Sequence, residues 1–349
     1  MALFCLLNVA AASDFNDTSI SEVDEAVLGV SDFDTINESA VESEVDDDVL
    51  GVSDIESIDE SGDNVLSYSN DQDVLSTSYV VNNFAEFADA IYNAESGSTI
   101  YFKKDIVNYD LSYVRLAHGS DIVVEGNGHT LDGYGYTGNL IAILQKGITL
   151  RNIVFTNCTT AVYIPSECTG NIEHCTFINN VIKYDDDALI FISQGGSLNI
   201  KDCNFENNKG LKFTGSVYIL PGGIAYIENC NFRNNRGILG GAIYNRGSLN
   251  IQGSTFTGNY AGDNGGAIYS ETEFKCQGSK FYSNSANNKG GAIYTVNNLS
   301  NEVNGLEFAD NYARFGGAIY CENNIDLKSI KFRNNRAFMG GAIYTKSGK

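Results

Sequence analysis

Much of the chain alternates apolar and polar residues over short segments. Residues 198–200 and 249–251 each carry an apolar side chain at every second position, and residues 148–155 repeat this arrangement over a longer stretch. Successive side chains of a strand point to opposite faces, so this period of two places the apolar residues on one face. The pattern predicts short β-strands with one buried face, joined by turns rich in Gly and Asn.

The chain also repeats itself about every 25 residues. The pentapeptide Gly-Gly-Ala-Ile-Tyr occurs five times at spacings of 24 to 26 residues, and its glycine pairs are Gly240 and Gly241, Gly265 and Gly266, Gly290 and Gly291, Gly316 and Gly317, and Gly340 and Gly341. A second repeated feature is a phenylalanine that recurs every 22 to 28 residues, at Phe155, Phe177, Phe205, Phe232, Phe256, Phe281, Phe308 and Phe332. All but the first are followed three positions later by an asparagine, namely Asn180, Asn208, Asn235, Asn259, Asn284, Asn311 and Asn335.

This period predicts the architecture. Helical repeats are longer, about 33 to 47 residues, and they carry a 3.6-residue pattern that is scarce here. Three short strands and three turns use about 25 residues, which is one coil of a parallel β-solenoid whose coils stack about 4.8 Å apart. We therefore expect an all-β solenoid of about ten coils.

Each repeated residue has a mechanical role in such a solenoid. An inward Phe in every coil predicts a ladder of stacked rings. The Asn that follows is expected at a turn, where it tolerates left-handed backbone and where stacked amides hydrogen-bond along the axis. The glycine pair permits a sharp corner with positive φ. The sequence leaves open whether Ala, Ile or Tyr of the pentapeptide points inward.

The position two residues before each Phe is small or apolar, as an inward position requires. Its occupants are Ile153, Cys175, Cys203, Cys230, Ser254, Ser279, Leu306 and Ile330. A metal site is the alternative for the three cysteines, but Ser and Leu do not replace Cys as ligands, and the chain has no paired Cys-x-x-Cys motif. Cys158 and Cys168 are candidates for a short disulfide loop in an oxidising compartment.

The two ends of the repeat region differ. Residues 83–92 place Phe84, Phe87, Ala88 and Ile91 at helical spacing after an Asn N-cap, which predicts a short helix that covers the first coil. Residues 98–103 are expected to start the first strand, and residues 122–133 read as strand, glycine-rich turn, strand. At the other end the chain stops soon after the fifth pentapeptide, so we expect a β-helix truncated at its C-terminus.

The charge divides the chain into three parts. The net charge is −22, but residues 1–78 hold 20 acidic and no basic residues, which leaves 24 acidic and 22 basic residues in the nearly neutral body 79–349. Acidic composition with few aromatic residues predicts that 13–78 is a disordered linker.

Residues 1–12 are apolar and read as a signal peptide without its basic n-region, or alternatively as the product of a misassigned start codon. No segment is long and apolar enough for a transmembrane span, and the charge disfavours nucleic acid as a partner.

These motifs resemble those of known surface proteins. Gly-Gly-Ala-Ile paired with Phe-x-x-Asn is similar to the repeats of chlamydial polymorphic outer-membrane proteins. Together with the helix near 83–92, the Gly-rich stretch 126–133 and the segment 148–158, it resembles more closely the adhesin-like surface proteins of methanogenic archaea. The resemblance implies a right-handed parallel β-helix of the pectin-lyase-like class, secretion, and an adhesive role at the cell surface. It transfers no catalytic residue, because the shared motifs are structural.

Few residues suggest chemistry. The acidic run Asp185, Asp186 and Asp187 is the weak candidate for a metal or catalytic site, with Glu173 or Asp202 in adjoining coils, although such a run is usually a solvated loop. His118, His129 and His174 lack companions at metal or triad spacing. Arg233/Arg236 and Arg333/Arg336 recur inside the Phe-x-x-Asn motif and are expected to face solvent. N-glycosylation sequons begin at Asn16, Asn37, Asn157 and Asn298.

The sequence therefore favours a secreted or cell-surface structural protein, without cofactor, that binds glycans or proteins on another cell or matrix surface. Twenty Tyr and many Asn predict a long polar flank dotted with aromatic rings. The alternative is a carbohydrate-active β-helix enzyme, a polysaccharide lyase or glycoside hydrolase, because this fold class includes both. Several acids, or acids and an exposed Arg, that converge in one groove would favour the enzyme.

Overall fold

The computed structural model describes residues 65–66, 77–184, 187–300 and 302–347, and these residues form a right-handed parallel β-helix. Within this part of the chain each coil contributes one short strand to each of three or four sheets, and strands one coil apart pair in parallel register. The fold prediction is confirmed. The signal-peptide and linker predictions, with Asn16 and Asn37, lie outside the described residues except at the linker's last positions.

The four sheets are named A to D, and a full coil visits them in the order A, B, D and C. Sheet A comprises Val65–Leu66, Thr77–Val81, Thr99–Phe102, Val123–Glu125, Ile148–Arg151, Thr169–Glu173, Ser197–Lys201, Ile224–Glu228, Ser248–Gln252, Lys275–Gln277 and Val303–Asn304. Sheet B comprises Ile106–Val107, Thr130–Asp132, Val154–Thr156, Thr176–Ile178, Asn204–Glu206, Asn231–Arg233, Thr255–Thr257, Lys280–Tyr282, Glu307–Ala309 and Lys331–Arg333.

Sheet C follows sheet B directly in the first turns and follows sheet D in the later ones. Its strands are Val114–Leu116, Asn139–Ile143, Thr160–Ile164, Ile190–Ile192, Val217–Ile219, Ile243–Asn245, Ile268–Ser270, Ile293–Thr295, Ile319–Cys321 and Ile343–Thr345. Sheet D begins later in the chain, with Val181–Ile182, Lys209–Gly210, Arg236–Leu239, Tyr260–Asn264, Ser285–Ala286, Tyr312–Phe315 and Arg336–Met339.

One helix, Phe84–Asn93, covers the first coil as predicted. The Asn83 side chain caps it by accepting a hydrogen bond from the Glu86 backbone nitrogen at 2.9 Å. Phe87 is fully buried and its ring contacts Phe102 of sheet A, with 5.0 Å between ring centroids. The apolar face of the helix thereby closes the end of the solenoid core.

A strand precedes this helix where the sequence indicated none. Thr77–Val81 pairs in parallel with Thr99–Phe102, so the first strand of the solenoid lies before the helix and residues 98–103 supply the second. The short strand Val65–Leu66 pairs antiparallel with Thr77–Val81. Both strands begin inside the segment 13–78, which the composition assigned to the linker. The composition did not reveal them, because a short apolar strand barely changes the composition of a long acidic segment.

The core is a ladder of phenylalanine rings. Consecutive rings from Phe155 to Phe332 stack with centroids 4.5 to 5.3 Å apart and planes within 15° of parallel. The position two residues earlier also points inward, and Cys175, Cys203 and Cys230 are fully buried there. The in-register coils thus bury identical side chains against one another, which fixes the register of every strand.

A second ladder of buried asparagines runs beside the rings. Asn235 is representative: its Nδ2 donates to Asn259 Oδ1 at 3.0 Å and to the carbonyl oxygen of Phe205 at 2.9 Å, and its backbone nitrogen also donates to Asn259 Oδ1. The expected left-handed conformation is wrong for these asparagines. It belongs to the residue before each one, with φ between 52° and 64° at Asn179, Asn207, Asn234, Gly258, Ser283, Asp310 and Asn334.

The glycine pair makes the corner between sheets D and C, but its two members do different things. The first glycine of each pair has the expected positive φ, from 64° at Gly290 to 68° at Gly265. For the second glycine the expectation of positive φ is wrong. The second glycines, none of which has left-handed backbone, are Gly241, Gly266, Gly291, Gly317 and Gly341.

The second glycine is needed for close approach between coils. A Cβ at Gly291 would lie 2.7 Å from the Tyr312 backbone nitrogen and nearer still to the Gly317 carbonyl oxygen, and a Cβ at Gly241 or Gly266 would collide with the next coil in the same way. At Gly341 a Cβ would meet only the Asn335 carbonyl oxygen, at 3.7 Å, since no described coil packs beyond it. After the corner, Ala and Ile of the pentapeptide face the core and Tyr faces outward.

Candidate functional site

Exposed tyrosines gather on the loops that join sheets B and C in the first turns. The loop after Ile106–Val107 carries Tyr109 and Tyr113, and the loop after Thr130–Asp132 carries Tyr134 and Tyr136. Tyr109 and Tyr134 are 70% and 56% exposed. We call these four residues the tyrosine loop face. It occupies the position that sheet D fills in later coils.

Local hydrogen bonds hold the two loops. The buried Asn108 side chain donates to the Ser112 carbonyl oxygen at 2.7 Å and accepts from the Ser112 backbone nitrogen at 3.2 Å, which ties the ends of the first loop together. In the second loop, the Tyr134 backbone nitrogen donates to Asp132 Oδ1 at 2.7 Å. Asp132 also accepts two hydrogen bonds from Asn157 Nδ2 of the next coil. The rings are therefore presented on a fixed backbone.

Two of the four rings are in direct contact. Tyr109 and Tyr134 meet edge to face with centroids 5.1 Å apart, and the Arg115 guanidinium lies 5.9 Å from the Tyr113 ring. Burial and the neighbouring Tyr113 raise the pKa of Tyr136, so its hydroxyl stays protonated at neutral pH and is available as a hydrogen-bond donor to a ligand. Fixed phenol rings beside carboxylate and amide groups offer both an apolar face and hydrogen bonds to a polar ligand.

The tyrosines of the pentapeptide are different. Tyr244 and Tyr294 are 5% and 7% exposed, although they lie on the outer side of sheet C. Side chains that precede a glycine pair help to cover them: Leu239 packs against the cluster that contains Tyr244, and Lys289 Nζ lies 5.7 Å from the Tyr294 ring centroid. The long aromatic flank that the tyrosine count predicted is therefore largely covered, and the accessible rings lie elsewhere.

A charged network crosses these buried tyrosines. Glu322 accepts hydrogen bonds from Tyr294 at 2.9 Å and Lys289 at 3.0 Å, and Lys346 Nζ lies 2.9 Å away. Burial acts to raise the pKa of Glu322, but the contacts with Lys346, Lys289 and Tyr294 outweigh it and hold the pKa below its ordinary value. Burial and Glu322 in turn raise the pKa of Tyr294. The network joins side chains of successive coils.

Its pH dependence is testable with Glu322→Gln. The pKa of Glu322 is lower in the folded protein than in the unfolded chain, where it is near 4.5, so ionised Glu322 stabilises the fold fully at a pH above 4.5. This stabilisation is lost as the pH falls through the folded-state pKa. We expect the variant to lose about 2 kcal/mol at pH 7, with the difference from the parent protein shrinking toward pH 3. Urea unfolding at both pH values measures it. Glu302→Gln, at a surface pair with Lys275, is the control, and an equal pH-dependent loss there would refute the assignment.

A polar groove of about 520 Å³ lies where sheets A and B meet, and it contains Glu125, Arg151 and His174. Glu125 accepts hydrogen bonds from Arg151 Nε at 2.6 Å, from Asn152 Nδ2 and from the Asn127 backbone nitrogen. Burial tends to raise the pKa of Glu125, but these hydrogen bonds and the Arg151 charge keep it below its ordinary value. Among the described residues that line the groove, Glu125 is the single carboxylate, whereas a hydrolase requires a pair.

The other predicted site residues are dispersed. Asp185 and Asp186 lie outside the described residues, and Asp187, which follows them in the sequence, is half-buried. Glu173 aligns between Arg151 and Lys201 on sheet A, which places it in a column of alternating charge. The sequon asparagines Asn157 and Asn298 are exposed.

The remaining histidines and the cysteines of the described ranges do not form a site. His129 pairs with Asp105 at 3.3 Å, and His118 packs on Tyr92. Cys158 and Cys168 are both free thiols, so the expected disulfide is not formed. Within the described ranges, no group of three His, Cys, Asp or Glu side chains is placed to hold a metal ion. In the same part of the chain no helix is long and apolar enough to span a bilayer.

Comparison with protein families agrees with this architecture. The model of the right-handed β-helix region matches residues 68–256, more than half of the chain, so the protein belongs to that family. The Chlamydia polymorphic membrane protein repeat matches residues 253–271, 278–296 and 305–322, each of which includes a Gly-Gly-Ala-Ile-Tyr corner. The resemblance to polymorphic membrane protein repeats is thus confirmed. No curated protein matches the sequence.

Among solved structures the chain is similar to the PL6 family alginate lyase AlyGC, at 10% identity and a TM-score of 0.40 over 70% of this chain and 40% of the lyase. It therefore spans less than half of the lyase's length. It is also similar to PfbA, a surface adhesin of Streptococcus pneumoniae. Two PfbA structures give 13% and 12% identity and TM-scores of 0.35 and 0.41, over 74% and 78% of this chain and 81% and 90% of theirs. At these identities the similarity concerns the fold.

Proposed function

We propose that this protein is a secreted or cell-surface adhesin-like protein whose tyrosine loop face binds carbohydrate on another cell or matrix surface. The carrying observation is the exposed, edge-to-face pair Tyr109 and Tyr134 on hydrogen-bonded loops. Rigid phenol rings lie against the apolar faces of sugars while nearby amide and carboxylate groups bond to hydroxyls. The same surface suits a protein ligand, which is the second class to test.

The proposal also assigns the rest of the chain. Residues 1–12 serve as the export signal, residues 13–78 as an acidic spacer, and residues 79–349 as the β-helix that presents the ligand-binding face. The matched polymorphic membrane protein repeats and the resemblance to adhesin-like proteins of methanogenic archaea support a surface location. Detection of the protein in the membrane-free cytoplasm alone would contradict it.

The tyrosine loop face is tested by binding of the full chain to a glycan array and to microbial and host cells. We expect Tyr109→Ala/Tyr134→Ala to weaken binding to the best glycan by about thirtyfold, since the two aromatic contacts contribute on the order of 1 kcal/mol each. Tyr226→Ala removes a ring that is 48% exposed but lies on sheet A, and it should bind like the parent protein. Unchanged binding by the double variant would reject the site.

The enzyme alternative rests on the groove that holds Glu125, Arg151 and His174. A polyuronate cleavage assay with added calcium, run on the same preparation, separates the two functions. A lyase would be favoured if the parent protein cleaves polyuronate and a variant does not. The variants are Arg151→Gln and a triple change of Asp185, Asp186 and Asp187 to Asn. Glycan binding without product favours the adhesin.

A further inference from the structure

Sheet D turns arginine and aromatic side chains to solvent. Alternate residues of its strands, such as Ala261 and Ala313, are buried, so the positions between them face outward. One in-register outward column consists of Lys209, Arg236, Tyr260, Ser285, Tyr312 and Arg336. We call Arg236, Tyr260, Tyr312 and Arg336, with Arg314 and Phe338 beside them, the arginine face.

The arginines of this face lack a carboxylate partner. Four arginines elsewhere pair with a carboxylate of a neighbouring coil, namely Arg151 with Glu125, Arg233 with Glu206, Arg246 with Glu271 and Arg333 with Asp310, whereas Arg115 on sheet C lies beside the Tyr113 ring. Among the described residues, Arg236, Arg314 and Arg336 form no ion pair. Arg236 instead lies 5.1 Å from the Tyr260 ring centroid, and Arg314 lies 5.5 Å from the Phe315 ring centroid.

The acidic groups around the face do not neutralise it. Asp263 is the single carboxylate on the described strands of sheet D, and it bonds to the Asn264 and Asn288 amides. Asp310, at the turn before the strand Tyr312–Phe315, is directed to Arg333 on sheet B. The face therefore keeps a local positive charge on a body that is nearly neutral.

We propose that the arginine face binds a linear acidic polysaccharide of the polyuronate class, as a second binding surface distinct from the tyrosine loop face. Guanidinium groups bind carboxylates through paired hydrogen bonds. Tyr312 and Phe338, 57% and 81% exposed, offer rings for the sugar faces.

The geometry favours a polymer over a small anion. Arg236 and Arg336 are separated by four coil steps, about 19 Å along the axis at the strand spacing of a sheet. One small carboxylate contacts one end of this column, whereas an extended chain with a charge on each repeating unit contacts both ends together. The few cations and the interleaved rings suit a polyuronate better than the denser charge of nucleic acid.

Titration of the full chain with sodium polygalacturonate tests the proposal. We expect Arg236→Gln/Arg336→Gln to raise the dissociation constant about fivefold, and binding to weaken with added salt. The matched control is Arg233→Gln/Arg333→Gln, which removes the same charge from the same Phe-Arg-Asn-Asn-Arg motif but on sheet B. The control should retain the parent affinity within about twofold.

Three outcomes would overturn the proposal: no polygalacturonate binding by the parent protein, an equal loss in both double variants, or equally tight binding of neutral dextran or duplex DNA. Tyr109→Ala/Tyr134→Ala should leave polygalacturonate binding unchanged. If this variant loses glycan-array binding but still binds polygalacturonate, the two ligands bind at different surfaces. Each proposal can then fail without the other.

Discussion

Replacing Asn259 with alanine is expected to lower the free energy of unfolding by about 4 kcal/mol, because four buried hydrogen bonds disappear at once. Asn259 Oδ1 accepts from the backbone nitrogen and Nδ2 of Asn235, and Asn259 Nδ2 donates to the Phe232 carbonyl oxygen and to Asn284 Oδ1. These groups are shielded from water, and the Asn235 backbone nitrogen loses its Asn259 Oδ1 acceptor. Asn235 Nδ2 keeps its bond to the Phe205 carbonyl oxygen, and Asn284 Oδ1 keeps its bond from the backbone nitrogen of residue 259. Urea unfolding followed by circular dichroism measures the loss.

The neighbouring residue supplies the control. Asn234 is exposed with φ of 55°, and glycine holds the corresponding position one coil later, at Gly258. Asn234→Gly should therefore change stability by no more than about 0.5 kcal/mol. If both variants lose the same amount, the asparagine ladder does not bear the stability that its hydrogen bonds indicate.

An alanine at Gly291 should be as damaging, with a loss of about 4 to 5 kcal/mol or failure to fold. Its Cβ would overlap the Gly317 carbonyl oxygen and press on the Tyr312 backbone, and neither belongs to a flexible side chain. The two coils would have to separate at this corner, which breaks the hydrogen bond from the Gly291 nitrogen to the Gly316 carbonyl oxygen. The yield of folded protein and its thermal midpoint report the effect.

Two controls isolate the steric part of that loss. Gly341→Ala makes the same change at the corner where a Cβ meets no backbone atom closer than 3.7 Å, so it should be nearly neutral. Gly278 has φ of 58° and open space around it, and Gly278→Ala should cost about 1 kcal/mol, the penalty for a left-handed alanine. A loss at Gly291 no greater than these would show that the approach of the coils is not what requires glycine.

The sequence predicted the solenoid because each coil repeats the same chemistry. An inward Phe and a buried Asn at fixed separation leave a one-dimensional signal that needs no knowledge of the fold, and the capping helix has its own period of 3.6. The left-handed residue was misplaced by one position because Asn occupies both places in most coils, as at Asn234 and Asn235. The residue that tolerates left-handed backbone and the residue that fills the ladder look identical in the sequence.

The glycine pair shows the same ambiguity. Gly240 supplies the positive φ, whereas Gly241 supplies the missing side chain that lets the next coil approach. Both demands select glycine, so the sequence reveals that a corner exists but does not divide the two roles between its residues.

The candidate sites were less predictable, since exposure depends on what packs above a residue. Tyr134 and Tyr244 are both tyrosines after glycine-containing turns, yet Tyr134 is accessible and Tyr244 is buried in a cluster against which Leu239 packs. Arg233 and Arg236 belong to one motif, three positions apart, but the chain turns from sheet B to sheet D between them. Arg233 lies on sheet B and pairs with Glu206, whereas Arg236 lies on sheet D beside Tyr260. Only the path of the chain between sheets separates these pairs.

Coil stacking also sets the distance between the two proposed binding surfaces. The tyrosine loop face belongs to the first turns, and the arginine face begins several coils later and runs along sheet D. Since each coil pairs in register with its immediate neighbours, a whole coil added between them would preserve both surfaces and move them about 4.8 Å further apart. If both surfaces bind as proposed, the number of repeats between them sets the distance between the two ligands that one molecule holds.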